Sequence, residues 1–157
     1  MAIERARAWL KGFGLDSRIR EFDVSTATVE LAARAAGVIP ARIAKSMSFM
    51  TSEGPILVLA AGDARIDNPK YKAQFHTKAK MLGHDDVEAL IGHAVGGVCP
   101  FGIEPGVRTY LDVSMRRFDT VFPACGTSSS AVELSCAELE RAAQNCAGWV
   151  DVCKTAP

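Results

Sequence analysis

Between Arg42 and Met50 the sequence RIAKSMSFM alternates. Read as a strand, it puts Ile43, Met47 and Phe49 on one face and Ala44, Ser46, Ser48 and Met50 on the other. Lys45 falls in phase with the Ile-Met-Phe face, so a charged side chain occupies the side that would be dry. The next run, EGPILVLAAGD, reads as a turn and a buried strand, and the two form a plausible hairpin.

The same patterning predicts the other elements. AIERARAWLKG predicts a helix stopping near Gly12 or Gly14, and RIREFDV a strand. STATVELAARAAG predicts a helix capped by Thr26 or Thr28, with Gly37 just past its end. DNPKYKAQF opens a helix with Asn68 as its cap and Pro69 at the first helical position. That helix, continued through HTKAK, would gather Tyr71, Phe75 and Leu82 on one side and leave its lysines solvated. HDDVEALIG is a short helix with Asp85 near its cap and Gly92 at its end. VRTYLDVS, FDTVFPA, SAVELS and WVDVC read as strands, and CAELERAAQ as a helix. Short turns between many strands favour a mixed or antiparallel sheet over a doubly wound parallel one.

Composition narrows the class. The chain has 157 residues, 48% hydrophobic and 23% charged, and its 18 basic and 18 acidic residues cancel. One domain over residues 1–157 is expected. Zero net charge removes the argument for a strongly basic nucleic-acid binder, though not for one that uses a small local site. The longest apolar run, Pro55 to Ala61, is too short to span a bilayer, and the N-terminus has no signal-peptide core. A soluble, cytoplasmic protein with no membrane partner is expected. The cysteines, Cys99, Cys125, Cys136, Cys146 and Cys153, are odd in number and form no CxxC, so a disulfide framework is not expected. His76, His84 and His93 form neither HxxxH nor HExxH, which gives a metal site little support.

GHAVGGVCPFG is the most unusual stretch. Its glycines allow a backbone to approach a ligand and present N–H groups, Pro100 stiffens it, and Phe101 offers a ring. Hydrolysis of a carbonyl compound needs such donors where negative charge develops on oxygen. A tight turn whose glycines serve only φ > 0 explains the same composition. Cys99 lies in this loop six residues after His93. The two could form a nucleophilic pair, or Cys99 could be a small buried hydrophobe. Lys45 could snorkel from the strand end or hold its charge in a cleft. GTSSSAVELS adds Gly126 and Ser129, for loop hydrogen bonds or for contact with a polar ligand.

Together, RIAKSMSF, GPILVLAAGDARID, GHAVGGVCPFG and GTSSSAVELS resemble, in this order, the YbaK/ProX family of aminoacyl-tRNA editing deacylases. The likeness runs from about Val24 to Trp149. It implies an α/β fold of the α+β type, with a mixed, strongly curved, barrel-like sheet and flanking helices. It implies hydrolysis of the ester joining a wrong amino acid to the terminal adenosine of a tRNA, with tRNA(Pro) carrying alanine, cysteine or another small residue as the typical target. No metal and no cofactor are implied. The partners implied are the tRNA acceptor end and, for added affinity, prolyl-tRNA synthetase.

Carried over residue by residue, the family's strand lysine matches Lys45 and its glycine loop matches Gly96, Gly97, Pro100, Phe101 and Gly102. Lys45 and the Gly97 N–H are the expected catalytic groups. Phe49, Gly96, Pro100, Phe101, Gly102, Gly126 and Ser129 are the expected substrate contacts. The chain departs from the family pattern at Pro123, Ala124, Cys125 and Ala131, where members that clear Cys-tRNA(Pro) often carry Ser-Gly-Gly and an Asp. Two other readings stay open: a non-catalytic module that binds tRNA or a synthetase, and a thiol hydrolase built on Cys99.

Overall fold

The structure, a computed structural model, describes residues 2–155. Helix α1 (Ala2–Lys11) buries Ile3, Ala6 and Leu10, a stripe at helical spacing. A short strand, β1 (Ile19–Glu21), follows. In α2 (Val29–Ala36), Thr28 is the cap: its hydroxyl accepts the Leu31 N–H at 3.2 Å. Gly37 closes the helix in the left-handed region. Ala32 and Ala33 on the inner face of α2 pack against Ile43 and Phe122.

The hairpin is present as β2 (Ile43–Thr51) and β3 (Gly54–Ala61), in register from Ala44 opposite Ala61 to Thr51 opposite Gly54. From Ile56 to Ala61 no residue of β3 is more than 2% exposed. Both faces of this strand are covered, which is why its sequence is continuously apolar. After β4 (Ala64–Ile66) comes α3 (Asn68–Phe75), where two expectations are corrected. The cap is Asp67, whose carboxylate accepts the Lys70 N–H at 3.1 Å; Asn68 is the first helical residue. The helix also stops at Phe75, because His76 takes a left-handed φ of 61°. Lys78, Lys80 and Leu82 therefore lie outside it. Tyr71 and Phe75 still face the core, in a run of rings from Phe49 through Tyr71 and Phe75 to Tyr110, with centroids 5.2, 4.7 and 4.9 Å apart. Pairs at such distances add about 0.5–1.5 kcal/mol each beyond area burial.

Helix α4 (His84–Ile91) has Asp85 and Asp86 in its first turn and ends at Gly92. Then come β5 (Arg108–Asp112), β6 (Thr120–Pro123), β7 (Ser130–Val132), β8 (Leu134–Ser135), α5 (Cys136–Ala142), β9 (Cys146–Val150) and β10 (Cys153–Thr155). SAVELS and WVDVC each split in two because the chain changes partner within them. β7 pairs with β1 and β8 with β6; β9 pairs with β5 and β10 with β4. Helix α5 starts in a capping box between Ser135 and Glu138.

The main sheet has six strands in the order β8-β6-β2-β3-β5-β9. It is mixed: β2–β3 and β6–β8 are antiparallel, while β2–β6, β3–β5 and β5–β9 are parallel. The sheet curls into a half-barrel flanked by the helices, the α+β arrangement the sequence implied. Among the described residues no helix is long and apolar enough to cross a membrane.

Candidate active site

Strand β2 is flanked incompletely on the side away from β3. The Met50 N–H donates to the Lys80 carbonyl at 2.8 Å, and the Leu82 N–H donates to the Ser48 carbonyl at 3.1 Å. The even-numbered residues of β2 thus direct their backbone groups away from β3. In an antiparallel ladder this alternation has a period of two, so Ser46 does the same. On the opposite strand, the Ala61 N–H agrees: paired with Ala44, it turns away from β2 and donates to the Ser114 hydroxyl at 3.1 Å. The parallel ladder with β6 covers only Ile43 and Ala44. Between Ala44 and Ser48 the sheet therefore has a notch, and the N–H and C=O of Ser46 point into it.

A cavity of about 380 Å³ opens at this notch, within the range of small-molecule sites. Residues 43–48 of β2 form one wall. The start of α2 with Thr26 and Thr28, the loop residues Val95, Gly96 and Val98, and Ala124, Ser130 and Ala131 supply others. Several lining hydroxyls are already committed. Thr28 caps α2, and Thr26 accepts the Ser130 N–H at 3.2 Å. The Ser46 hydroxyl oxygen is buried without a protein partner among the described residues.

Lys45 lines the cavity and is half-buried; no carboxylate or arginine lines it among the described residues. Burial pulls the Lys45 pKa below the ordinary lysine value, and Cys153, Asp63 and Glu30 act in the other direction. Burial, with Asp112 beside it, pushes the Cys153 thiol up to about 12, so at pH 7 it is neutral and the two carboxylates provide the opposing field. Asp63 is engaged elsewhere, in a two-point ion pair with Arg117 at 2.5 and 3.0 Å. The Lys45 charge is thus only partly compensated by its neighbours.

The glycine loop does something other than expected. The Gly97 N–H donates to the Ala94 carbonyl at 3.0 Å, and the Gly97 carbonyl accepts the Gly126 N–H at 2.9 Å. Gly97 is thus a tight-turn residue and cannot donate to a bound oxyanion in this arrangement. Of the nine expected site residues, Lys45 and Gly96 line the cavity. Phe101 is fully buried in the core, and Phe49, 1% exposed, packs on Tyr71. The Pro100 carbonyl accepts the Gln144 N–H, and the Ser129 carbonyl accepts the Phe22 N–H, both at 2.8 Å. Gly102 sits on the backbone of α1 at Arg5, and Gly126 on the backbone at Ala2. None of these six lines the cavity. Sequence reading missed Ser46, whose signal was its place beside Lys45 in the alternation, and the apolar rim residues Met81 and Val95, which carried none.

Cys99 and His93 are neighbours, with Sγ 3.4 Å from Nε2, and both are fully buried. His93 Nε2 lies 2.7 Å from the Phe101 carbonyl. To make that bond it must carry the proton, so it cannot accept one from the thiol. Burial pushes the Cys99 thiol up to about 12. A nucleophilic pair has neither base nor access here. Among the described residues no three His, Cys, Asp or Glu side chains gather into a metal-binding cluster.

A family model described as "Aminoacyl-tRNA editing domain" matches residues 23–142. The chain belongs to this family. The resemblance read from the sequence is borne out, and the matched span contains β2, the glycine loop and the cavity. Within the family, the chain is 47% identical over 156 residues to the Bacillus subtilis (strain 168) protein named "Uncharacterized protein YwhH", covering 98% of both. It is 27% identical over 110 residues to "Putative Cys-tRNA(Pro)/Cys-tRNA(Cys) deacylase EbsC" of Enterococcus faecalis (strain ATCC 700802 / V583), covering 69% of this chain and 67% of that protein. Among solved structures it superposes with a TM-score of 0.85 on "a putative trans-editing enzyme for prolyl tRNA synthetase", at 27% identity over 98% and 97% of the two chains.

Proposed function

We propose that this protein is an aminoacyl-tRNA deacylase that hydrolyses the ester of a misacylated tRNA, with tRNA(Pro) carrying alanine, cysteine or another small residue as the first candidate. The observation that carries the reading is the half-buried Lys45 in a cavity whose other described lining residues include no carboxylate. Family membership supplies the reaction class, and the names of the Enterococcus faecalis relative and the trans-editing structure favour tRNA(Pro).

In this reading water is the nucleophile. It adds to the ester carbonyl carbon, and the carbonyl oxygen becomes an oxyanion that the Lys45 ammonium stabilises. The bond from carbon to the ribose oxygen then breaks, and the proton lost by the water ends on that oxygen. In this reading the hydrolysis uses neither a thiolate nor a metal. The apolar floor around Ala32, Ile43 and Ala131 suits a small side chain. A pocket of this kind separates neighbours differing by one methylene by only about 1–3 kcal/mol. The acceptor end of the tRNA is the proposed macromolecular partner, with prolyl-tRNA synthetase adding affinity that a neutral chain lacks, and the cytoplasm is the proposed place of action.

The test is release of amino acid from tRNA(Pro) charged separately with alanine, cysteine, serine and proline, with Lys45→Ala beside the wild type and EDTA in a parallel set. Release of one mischarged residue that spares proline, survives EDTA and is lost in the variant is the expected result. No release from any of the four would turn the reading toward a non-catalytic module that binds tRNA or a synthetase.

A further inference from the structure

The notch in the sheet is short in hydrogen-bonding terms and centres on Ser46. Strand β2 is bonded to β6 up to Ala44 and to the segment carrying Lys80 and Leu82 from Ser48 onward. Between them Ser46 turns both of its backbone groups into the notch, beside the N–H of Ser48, whose carbonyl alone is bonded to Leu82. In an antiparallel sheet, a residue directly opposite a hydrogen-bonded partner exchanges two bonds with it: its N–H goes to the partner's C=O, and its C=O takes the partner's N–H. A single residue suffices to make both.

An aminoacyl ester is such a residue. Its α-ammonium is a donor and its ester carbonyl an acceptor, separated by one tetrahedral carbon as in a peptide. We infer that the aminoacyl group docks on β2 as a one-residue strand, its ammonium donating to the Ser46 carbonyl and its ester carbonyl accepting the Ser46 N–H. This rests on the deacylase reading above and adds to it the donor that Gly97 cannot be. It is strand addition, the mode by which extended peptides join a sheet edge, cut down to one residue. The Ser46 N–H is fixed by the strand before the substrate arrives, so it needs no reorganisation when charge develops on the carbonyl oxygen. Lys45, the preceding residue, would bring its ammonium to the same oxygen from its own side chain. The arrangement reads the backbone part of the amino acid and leaves its side chain to the apolar floor.

Two measurements test it. The first replaces serine 46 with its α-hydroxy acid counterpart, Ser46→2,3-dihydroxypropanoic acid, so that an ester oxygen stands where the N–H was. Because this N–H lies outside the β2–β3 ladder, the melting temperature should hold. The expected result is a fall of roughly 10²–10³ in kcat with KM little changed. An unchanged kcat would overturn the inference. The second reads binding without turnover: the Ser46 amide resonance is followed by ¹⁵N NMR on adding 3′-deoxy-3′-(alanylamino)adenosine, and then its analogue lacking the α-amine. A shift at Ser46 that weakens without the amine is expected. Shifts confined to other residues would overturn the docking.

The two readings fail separately. A wild type that hydrolyses mischarged tRNA while Ser46 is silent in both measurements refutes the docking and leaves the deacylase. A wild type that hydrolyses nothing while the Ser46 amide shifts supports the docking and refutes the catalysis.

Discussion

A Cβ placed on Gly97 would stand 2.6 Å from the carbonyl carbon of Gly126 and from the amide nitrogen of Thr127. The two loops that flank the cavity touch backbone to backbone at this point, tied by the Gly126 N–H to the Gly97 carbonyl. Gly97→Ala must therefore push the loops apart. We expect a loss of about 1–3 kcal/mol in unfolding free energy, the usual cost of overpacking, measured by urea titration. Deacylation should fall with it. Full stability in this variant would show that the contact is not maintained.

Lys45 should govern the alkaline side of the rate profile. An ammonium that acts on the carbonyl is present below its pKa and lost above it. Burial lowers that pKa from 10.5. After subtraction of the uncatalysed alkaline hydrolysis, kcat should decline as pH rises, with its midpoint below 10.5. Asp63 raises the Lys45 pKa, so Asp63→Asn should move the midpoint to lower pH still. A profile flat to pH 10.5 would remove the ammonium from the mechanism.

Part of this site was readable in the sequence, and the rest was not for identifiable reasons. The alternation in RIAKSMSFM located β2, and its one misfit residue, Lys45, proved to line the cavity. The glycine loop also stood out, but its composition reports close backbone packing as readily as ligand contact. Phe101 went into the core and Gly97 against Gly126, and neither outcome has a local signature. The notch is still less legible. It exists because β6 ends at Pro123 while β2 runs on to Thr51, a mismatch between strands far apart in the chain. The misplaced α3 boundary has a smaller cause: His76 carries no helix-breaking signal of its own, and only the observed left-handed φ marks the stop.

Cys99→Ala should leave deacylation intact. The thiol is buried, neutral and without a base, so its loss removes packing alone and should cost on the order of 1 kcal/mol. Slow labelling of the native protein at Cys99 by iodoacetamide, read by mass spectrometry, checks the same point. Loss of activity with the fold retained would reopen the thiol mechanism.

The Arg117–Asp63 pair should matter little to stability. Its hydrogen bonds to Arg117 hold the Asp63 carboxyl below its ordinary range. A depressed carboxylate contributes above its unfolded pKa of 3.8 and loses that contribution as pH falls through its folded value. Both side chains are more than a third exposed, so the pair is worth about 0.2–1 kcal/mol. Arg117→Met should cost no more than that at pH 7, and nothing once Asp63 is protonated, as thermal melts across pH 2–7 would show. A loss well above this would mean that Arg117 supports the Lys45 wall by packing.

An open strand edge in the middle of a sheet is ordinarily a hazard, since its unpaired groups invite another chain to add a strand and aggregate. The gap in β2 spans only the stretch from Ala44 to Ser48, about 13 Å at roughly 3.3 Å per residue, and is walled at both ends by bonded backbone. An intruding strand of ordinary length would collide with those walls before it could pair. The protein thus leaves a short piece of sheet edge open while denying it to any strand longer than the gap, through the early end of β6 and the bonded segment at Lys80 and Leu82.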